Sequence, residues 1–298
     1  MLQSQCPHLG LNCCSSYCWQ HIPRLCCSAH HVACRSMGKQ QQAGGSPLQS
    51  LKLTHKKLKP AVINDHMLLV PGVLTPHEAQ QCIDAAEGLG FEHQGSRGAA
   101  YGEAYRDNHR ISVQDPALAE QLWSATGLQH TMAGVTVDGL VPIGLNANIR
   151  FYRYSRGQKF GRHIDDSVEV APGQHTGYTL LVYLSGPLEG AAGTTSKGSK
   201  SSCSSSQVAA SSGKGKRKAP GAGGSQPMQI TSSVQDLVGG ETVFYGPRSR
   251  VVASVAPAPG LALLHLHGEE RCLEHEGAEV QQGVKYVLRS DVVFGAPR

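Results

Sequence analysis

The chain has 298 residues, of which 40% are hydrophobic, 16% are charged and 35 are glycine. A chain of this length can bury an ordinary hydrophobic core, and it does not need a disulfide framework in order to fold. Its best apolar run, residues 67–74, is far shorter than the roughly 20 residues that cross a bilayer, so the sequence predicts no membrane span.

The net charge of +5 is distributed unevenly along the chain. Residues 1–64 contain seven Lys or Arg and no acidic residue, and residues 191–226 contain six Lys or Arg and no acidic residue. The rest of the chain therefore has 14 basic and 22 acidic residues, which is a net charge of −8. Because such a body is a poor partner for phosphate backbones, we do not expect nucleic acid as a partner.

Residues 1–60 are predicted to be a disordered, cysteine-rich leader. Seven of the ten cysteines lie in the first 34 residues. The lack of acidic residues is typical of a transit peptide to the chloroplast or mitochondrion, and without import the protein is expected in the cytoplasm or nucleus. A zinc site made of Cys14, Cys18, His31 and Cys34 is the alternative, although the segment has no pair of CxxC motifs.

Ordered structure is predicted from residue 61 onwards, beginning with a strand over residues 61–70. A helix then begins at Thr75, which forms a capping box with Glu78, and ends at residues 88–90. A second helix begins at Asp115-Pro116. Both helices are interpreted as packing elements.

From Asn146 onwards the apolar residues alternate with a period of two, which indicates short β-strands separated by Gly and Pro turns. Strands without intervening helices favour an antiparallel sandwich or jelly roll. Residues 189–232 interrupt this pattern, and their Ser, Gly and Lys content predicts a disordered insert between two strands. The predicted strands are residues 147–154, 177–184, 241–245, 251–255, 261–267 and 284–294.

A candidate metal site follows the first of these strands. His163 and Asp165 are two residues apart, so an extended chain projects both side chains to the same side. A third ligand must come from elsewhere in the chain. The candidates in the β-rich half are His175, His265, His267 and His275.

His275 is favoured because Lys285 follows it ten residues later on an alternating strand. Two histidines and one carboxylate on one face of an octahedral ion leave three positions open, which is the arrangement of non-haem Fe(II) oxygenases. A 2-oxo acid would fill two of these positions and dioxygen the third. The lysine would then pair with the far carboxylate of that acid.

The sequence resembles the Fe(II)/2-oxoglutarate-dependent dioxygenases of the prolyl 4-hydroxylase alpha-subunit type. The resemblance extends over about residues 69–294, apart from the insert. It depends on the combination of several short motifs, since His163-x-Asp165 alone is not specific. The motifs are RFYRY at 150–154, GRHID at 161–165, TLLVYL at 179–184, GGETVF at 239–244, HEG at 275–277 and GVKY at 283–286.

The resemblance implies an α+β, mainly β fold over residues 61–298, namely a double-stranded β-helix (jelly roll) with supporting N-terminal helices. It implies Fe(II), 2-oxoglutarate and O2 as reactants, with ascorbate as the reductant. It also implies roles for individual residues: iron ligation by His163, Asp165 and His275, anchoring of 2-oxoglutarate by Lys285, a hydrogen bond from Tyr154 to the same carboxylate, and a place for Thr179 in the wall of that pocket.

The implied reaction is hydroxylation of an unactivated C–H, with a prolyl residue as candidate substrate and release of succinate and CO2. Glu279 and Tyr286 depart from the residues common in hydroxylases of this type, so two alternatives remain. One is the same chemistry on a small molecule or an alkylated base, and the other is a non-catalytic jelly-roll binding module. Residues 105–110 are placed in the helical half, where Asn108 and Arg110 are candidate substrate contacts or, alternatively, packing and salt-bridge residues.

Overall fold

The computed structural model describes residues 47–98, 103–187 and 236–297. Residues 1–46 of the predicted leader and the whole predicted insert, 189–232, lie outside these ranges. The disorder predicted for both segments, the zinc alternative and the predicted cellular location therefore stay predictions.

The described residues form mainly antiparallel strands. The strands are β1 (Ala61–Asn64), β2 (Met67–Val70), β3 (Glu92–Gly95), β4 (Arg106–Gln114), β5 (Val141–Leu145), β6 (Asn148–Tyr154), β7 (Lys159–His163), β8 (Glu169–Ala171), β9 (Gln174–Tyr183), β10 (Val238–Gly239), β11 (Thr242–Gly246), β12 (Arg250–Val255), β13 (Ala262–Leu266), β14 (Glu274–Gly277), β15 (Val280–Gln282) and β16 (Lys285–Gly295).

Two four-stranded layers organise these strands. The first layer has the order β13-β9-β16-β6, and the second has the order β7-β14-β11-β12. Strand β4 joins the layers because it pairs with both β6 and β7. This interleaved order is that of a double-stranded β-helix, so the predicted jelly-roll fold is confirmed.

The alternation of side chains along each strand produces two hydrophobic cores. On β6, Ile149 and Phe151 contact the core shared with the helices, whereas Tyr152 and Tyr154 contact a second core. That second core combines residues of the first layer with Phe244 and other residues of the second layer. The polar side chains that project between the layers therefore share their space with an apolar core.

The helices are α1 (Pro76–Leu89), α2 (Pro116–Glu120) and α3 (Leu128–Met132), with a π-helical turn over Gln121–Ala125. The capping box predicted for α1 is confirmed: the Glu78 N–H donates to Thr75 Oγ1 at 3.1 Å, and the Thr75 N–H donates to Glu78 Oε2 at 2.7 Å. None of the helices among the described residues is long and apolar enough to cross a membrane.

The predicted leader boundary at residue 60 is wrong, because residues 47–60 are part of the folded domain. Leu48, Leu51 and Leu53 are buried in the core that contains α1. Lys56 Nζ lies 2.6 Å from Glu78 Oε2, and burial of Glu78 is outweighed by this ion pair and by backbone donors, which lower its pKa to about 2. The sequence signal was hidden because three leucines in an irregular segment show no period.

Two further predictions need correction. Residues 61–70 are a hairpin of β1 and β2 and not one strand, because the chain turns where the His66 N–H donates to Asn64 Oδ1 at 2.9 Å. Residues 106–110 belong to β4 and not to a helical half. Their charged and polar side chains conceal the strand, whose backbone pairs with β3, β6 and β7.

Candidate functional site

The structure brings together the three predicted metal ligands. His163 ends β7, and His275 lies directly opposite it on β14 in the antiparallel register. Asp165 Oδ1 is 3.7 Å from His163 Nε2, and Asp165 Oδ2 is 3.6 Å from His275 Nε2. The ligand atoms of all three residues lie within 4.8 Å of one another. One small ion could therefore contact all three.

Hydrogen bonds to the backbone orient the two imidazoles. His163 Nδ1 lies 2.9 Å from the carbonyl oxygen of Gly161, and His275 Nδ1 lies 2.9 Å from the carbonyl oxygen of Leu273. A carbonyl oxygen only accepts, so both Nδ1 atoms carry a hydrogen and both Nε2 atoms are directed to the side of Asp165. This backbone anchoring of Nδ1 is typical of histidines that bind a metal, and the donor set fits ferrous iron.

A second group of potential ligands shares His275 with the first. Cys272 Sγ lies 3.9 Å from His275 Nδ1 and 4.0 Å from His265 Nδ1. However, His275 Nδ1 already donates to the carbonyl oxygen of Leu273. The orientation of His275 therefore favours the group that contains Asp165.

The local electrostatics keep Asp165 ionised and His163 neutral. Burial alone would raise the pKa of Asp165, but the Arg289 guanidinium and the nearby imidazoles hold it well below its usual range. Burial lowers the pKa of His163 to about 4, and His275 adds to this effect. Burial also disfavours protonated His275, but Asp165 and Cys272 raise its pKa to about 9. A metal ion would therefore displace a proton from His275.

Lys285 occupies the other end of the same cavity. Its side chain is buried, and its Nζ lies 5.4 Å from the ring centroid of Tyr154 and 5.7 Å from that of Tyr183. It forms no hydrogen bond or ion pair with any of the described residues. Burial lowers its pKa to about 8, although the negative charge of Glu241 acts to raise this pKa. A buried ammonium group without a counter-ion indicates a site for an anionic ligand.

Aromatic and aliphatic side chains form most of the wall between these two ends. Tyr154 lines the cavity, and burial raises its pKa. Tyr183 donates from its hydroxyl group to Thr242 Oγ1 at 2.6 Å, and Thr242 also lines the cavity. The described wall comprises Tyr152, Tyr154, Phe160, His163, Asp165, Leu181, Thr242, His275, Gly277, Lys285, Val287 and Arg289.

The structure gives Thr179 a different place from the one that the resemblance implies. Thr179 Oγ1 donates to Asp165 Oδ2 at 2.7 Å and lies 2.7 Å from His267 Nε2. It contacts the metal ligand and is not part of the described cavity wall, where Thr242 is the threonine. The implied role of Thr179 beside the 2-oxoglutarate carboxylate stays a prediction. Thr179 projects toward Asp165 because it pairs with Asp291 in the β9–β16 register.

The two candidate substrate residues lie apart from the cavity wall. Asn108 is fully buried on β4, and its side-chain amide lies close enough to Tyr154 to lower the pKa of that hydroxyl group, although neither amide atom forms a regular hydrogen bond with another described residue. Arg110 lies opposite Tyr152 in the sheet register. Neither residue belongs to the described wall, so their contact with a substrate stays a prediction.

The other histidine candidates differ in their surroundings. His175 is exposed and belongs to neither potential ligand group among the described residues. His265 is buried; its Nε2 lies 3.7 Å from Asp165 Oδ2 and has no hydrogen-bond partner among the described residues. His267 contacts Thr179 and Thr176. Both histidines lie next to Asp165 or Thr179 but outside the group formed by His163, Asp165 and His275.

Sequence reasoning did not find the role of Arg289. Its Nη2 lies 3.1 Å from Asp165 Oδ1, 3.4 Å from Asp291 Oδ1 and 3.2 Å from Thr179 Oγ1. The sequence contained one signal for this role: Arg289 follows Lys285 by four residues on β16. An even interval along a strand projects both side chains to the same side of the sheet.

No protein-family model matches this chain, and no curated protein matches it in sequence. Among solved structures, it is similar to a viral collagen prolyl hydroxylase from Paramecium bursaria Chlorella virus-1, with 17% identity, a TM-score of 0.45, and coverage of 78% of this chain and 98% of that chain. A prolyl hydroxylase from Trichoplax adhaerens, solved with a peptide of hypoxia inducible factor, has 12% identity, a TM-score of 0.45, and coverage of 77% and 84%.

An oxidoreductase of the 2OG-Fe(II) oxygenase family from Burkholderia pseudomallei has 13% identity, a TM-score of 0.42, and coverage of 83% of this chain and 99% of that chain. These TM-scores are all below 0.5.

Proposed function

We propose that this chain is an Fe(II)- and 2-oxoglutarate-dependent dioxygenase that hydroxylates an unactivated C–H. The observation that carries the proposal is a single cavity with a two-histidine, one-carboxylate group at one end and an unpaired buried lysine at the other. In this proposal His163, Asp165 and His275 hold the ferrous ion.

The order of groups along the cavity suits a dicarboxylate with an apolar centre. Lys285 and Arg289 are four residues apart on β16, so their Cα atoms are separated by roughly 13 Å along the strand. Val287 lies between them and faces the same cavity. An apolar methylene chain would contact Val287 and Leu181, while one carboxylate reaches Lys285 and the 2-oxo acid group reaches the metal ligands.

Lys285 would bind the far carboxylate as a charge-assisted pair, and Tyr154 would donate a hydroxyl hydrogen bond to the same group. The raised pKa of Tyr154 keeps its hydroxyl group protonated for this purpose. The Thr242 hydroxyl accepts from Tyr183, which leaves its own hydrogen free to donate into the cavity. These three groups would fix the position and direction of the co-substrate.

A bound ferrous ion supplies the chemistry that side chains lack: O2-dependent decarboxylation of 2-oxoglutarate to succinate and CO2, coupled to conversion of a substrate C–H to C–OH. The chain contributes three metal ligands on one face, orientation of the co-substrate, and aromatic walls that exclude water. Ascorbate is proposed as the reductant that restores the ferrous state.

The proposed substrate is a prolyl residue of a peptide. The apolar side chains of Ile164, Val168 and Val170 are exposed and lie within the seven residues that follow His163 in the chain. Such side chains could support an extended peptide beside the metal ligands. A small molecule or an alkylated base is the competing substrate, and the negative net charge outside the two basic segments opposes the nucleic-acid version.

The test is succinate formation from 2-oxoglutarate by the full-length chain, with and without Fe(II) and ascorbate, across a panel of prolyl peptides and metabolites. Asp165→Ala should form no succinate, whereas Asp166→Ala, the same substitution at the exposed neighbouring residue, should retain the wild-type rate. Equal activity of Asp165→Ala and wild type would show that the metal assignment is wrong. A folded wild type that binds neither metal nor 2-oxoglutarate would favour the non-catalytic binding module.

A further inference from the structure

The carboxylate of Asp165 is held at both oxygens by side chains that are not metal ligands. Thr179 donates to Oδ2 at 2.7 Å, and Arg289 Nη2 lies 3.1 Å from Oδ1. Each carboxylate oxygen has two lone pairs, so these contacts leave positions open for a metal. The plane of the carboxylate is therefore set without the metal.

The Thr179 hydroxyl group is saturated in a way that fixes its direction. One hydroxyl group has one hydrogen to donate and two lone pairs. The hydrogen is directed to Asp165 Oδ2, and the lone pairs accept from His267 Nε2 at 2.7 Å and from Arg289 Nη2 at 3.2 Å. This arrangement requires the His267 tautomer that carries its hydrogen on Nε2. The Thr176 hydroxyl group lies 3.1 Å from Nδ1 and can donate to that unprotonated nitrogen.

A second carboxylate holds Arg289 in place. Both Nε and Nη2 of Arg289 lie 3.4 Å from Asp291 Oδ1. Asp291 is itself buried, with Arg150 Nη2 3.7 Å from its Oδ2. When a metal ion neutralises Asp165, Asp291 remains as a counter-ion for Arg289. The guanidinium group can therefore stay in place beside a divalent cation.

We propose, on the basis of the function proposed above, that Arg289 is a positioning residue for the metal ligand Asp165 and that it increases the affinity of the site for divalent metal. Two effects of the guanidinium group oppose each other. Its positive charge repels the metal. Its contact with Oδ1, however, already orders the carboxylate, so less conformational entropy is lost when the metal binds. The positioning effect is the larger one, because Asp291 offsets the positive charge.

The planar fork of arginine is essential to this role. Arg289 contacts Asp165, Asp291 and Thr179 through a single nitrogen while its Nε also reaches Asp291. A lysine has the same charge but lacks this fixed geometry. Arg289→Lys therefore removes the fixed geometry of the contact with Asp165 and keeps the positive charge. Because a cation remains beside the two buried aspartates, the chain can still fold.

The test is the affinity of the full-length chain for Mn2+ alone, measured from the electron paramagnetic resonance signal of free Mn2+ without co-substrate. Arg289→Lys and Arg289→Gln should both bind Mn2+ about 10- to 100-fold more weakly than wild type. Arg150→Gln removes the same charge from Asp291 without a contact to Asp165, and it should bind Mn2+ like wild type. The d–d absorption spectrum of bound Co2+ should change in Arg289→Lys and not in Arg150→Gln.

Unchanged or tighter Mn2+ binding by Arg289→Lys would overturn the inference and leave the proposed function intact. Wild-type affinity in Arg289→Lys together with tighter binding in Arg289→Gln would show that only the repulsive charge of this residue matters, which also overturns it. If the wild type binds no Mn2+, the proposed metal site fails and the inference fails with it. Thermal unfolding without metal, recorded for each variant, identifies a loss of folding.

Discussion

The two ends of the cavity balance their charges in different ways. At the metal end, Asp165 is surrounded by Arg289, Thr179 and imidazoles, so its charge is compensated within the protein. At the other end, Lys285 has aromatic rings around it and forms no ion pair with any described residue, and Glu241 acts on it only through a longer-range charge interaction. The metal end is therefore organised before any ligand arrives, whereas the lysine end is complete only when an anion binds. Substitutions at the two ends should affect different measured quantities.

The largest effect is expected for His275→Ala at the metal end. Loss of a direct ligand should weaken Mn2+ binding by more than about 100-fold, which exceeds the usual effect of changing a residue that only contacts a ligand, and should abolish succinate formation. His175→Ala provides the control, because His175 is exposed and outside the ligand group. Mn2+ binding by electron paramagnetic resonance and succinate release provide the measurements. A turnover rate for His275→Ala near that of wild type would exclude His275 as a ligand.

A large but different effect is expected for Lys285→Met at the lysine end. Loss of a buried charge partner should raise KM for 2-oxoglutarate about 100-fold or more and leave Mn2+ affinity unchanged. Lys285→Arg should recover part of the affinity. Lys159→Met, the same substitution at a more exposed lysine paired with Glu279, should leave KM near the wild-type value. A similar KM for Lys285→Met and wild type would mean that the anion binds elsewhere.

The low pKa of Lys285 predicts a pH dependence for the lysine end alone. Burial lowers this pKa from 10.5 to about 8, so the ammonium group that binds the carboxylate is lost in the ligand-free protein above pH 8. The dissociation constant of 2-oxoglutarate should rise by up to about tenfold per pH unit above 8. Lys285→Arg should remove this dependence, because arginine stays charged. Calorimetric titration of the metal-loaded protein from pH 7 to pH 9.5 measures it, and a flat profile for wild type would contradict the assignment.

The same pKa has the opposite effect on the stability of the ligand-free protein. Between about pH 8 and 10.5 the unfolded chain keeps a proton on this lysine that the folded chain has released. Because the unfolded state then binds more protons, the contribution of Lys285 to the free energy of unfolding rises with pH over this range. Denaturant unfolding of wild type and Lys285→Met across this range should show the difference.

The smallest effect is expected from Thr242→Val. Comparison with Thr179→Val distinguishes the role of Thr242 at the lysine end from that of Thr179 at the metal end. Loss of one hydroxyl donor to a charged carboxylate should raise KM for 2-oxoglutarate about three- to tenfold. Thr179→Val should act at the metal end and raise the metal concentration needed for half-maximal activity. If Thr179→Val raises only KM for 2-oxoglutarate, then Thr179 has the role that the resemblance implies, and its contact with Asp165 does not affect the metal.

The sequence predicted the fold and the residues that are separated by short, regular intervals. His163-x-Asp165 and the ten-residue interval from His275 to Lys285 could be recognised because strand periodicity gives the direction of each side chain. The capping box of α1 was equally local. These features depend on neighbours in the chain, so one sequence is enough to find them.

Other features depend on the pairing of distant strands. The contacts of Thr179 and Arg289 with Asp165 follow from the register of β9 against β16, and a one-residue shift would move those side chains to the opposite face. The packing of Leu48, Leu51 and Leu53 in the core that contains α1 likewise has no local signal. The register between distant strands cannot be read from a single sequence, so these contacts could not be predicted.

The most direct test of the central claim is an anaerobic titration of the Fe(II)-loaded full-length chain with 2-oxoglutarate, monitored by visible absorption. We expect a new charge-transfer absorption that saturates at one 2-oxoglutarate per chain, needs a higher concentration in Lys285→Met and is absent in His275→Ala. A wild-type protein that holds iron but shows no such absorption, or that binds 2-oxoglutarate equally well without metal, would contradict a cavity built for a metal at one end and a carboxylate at the other.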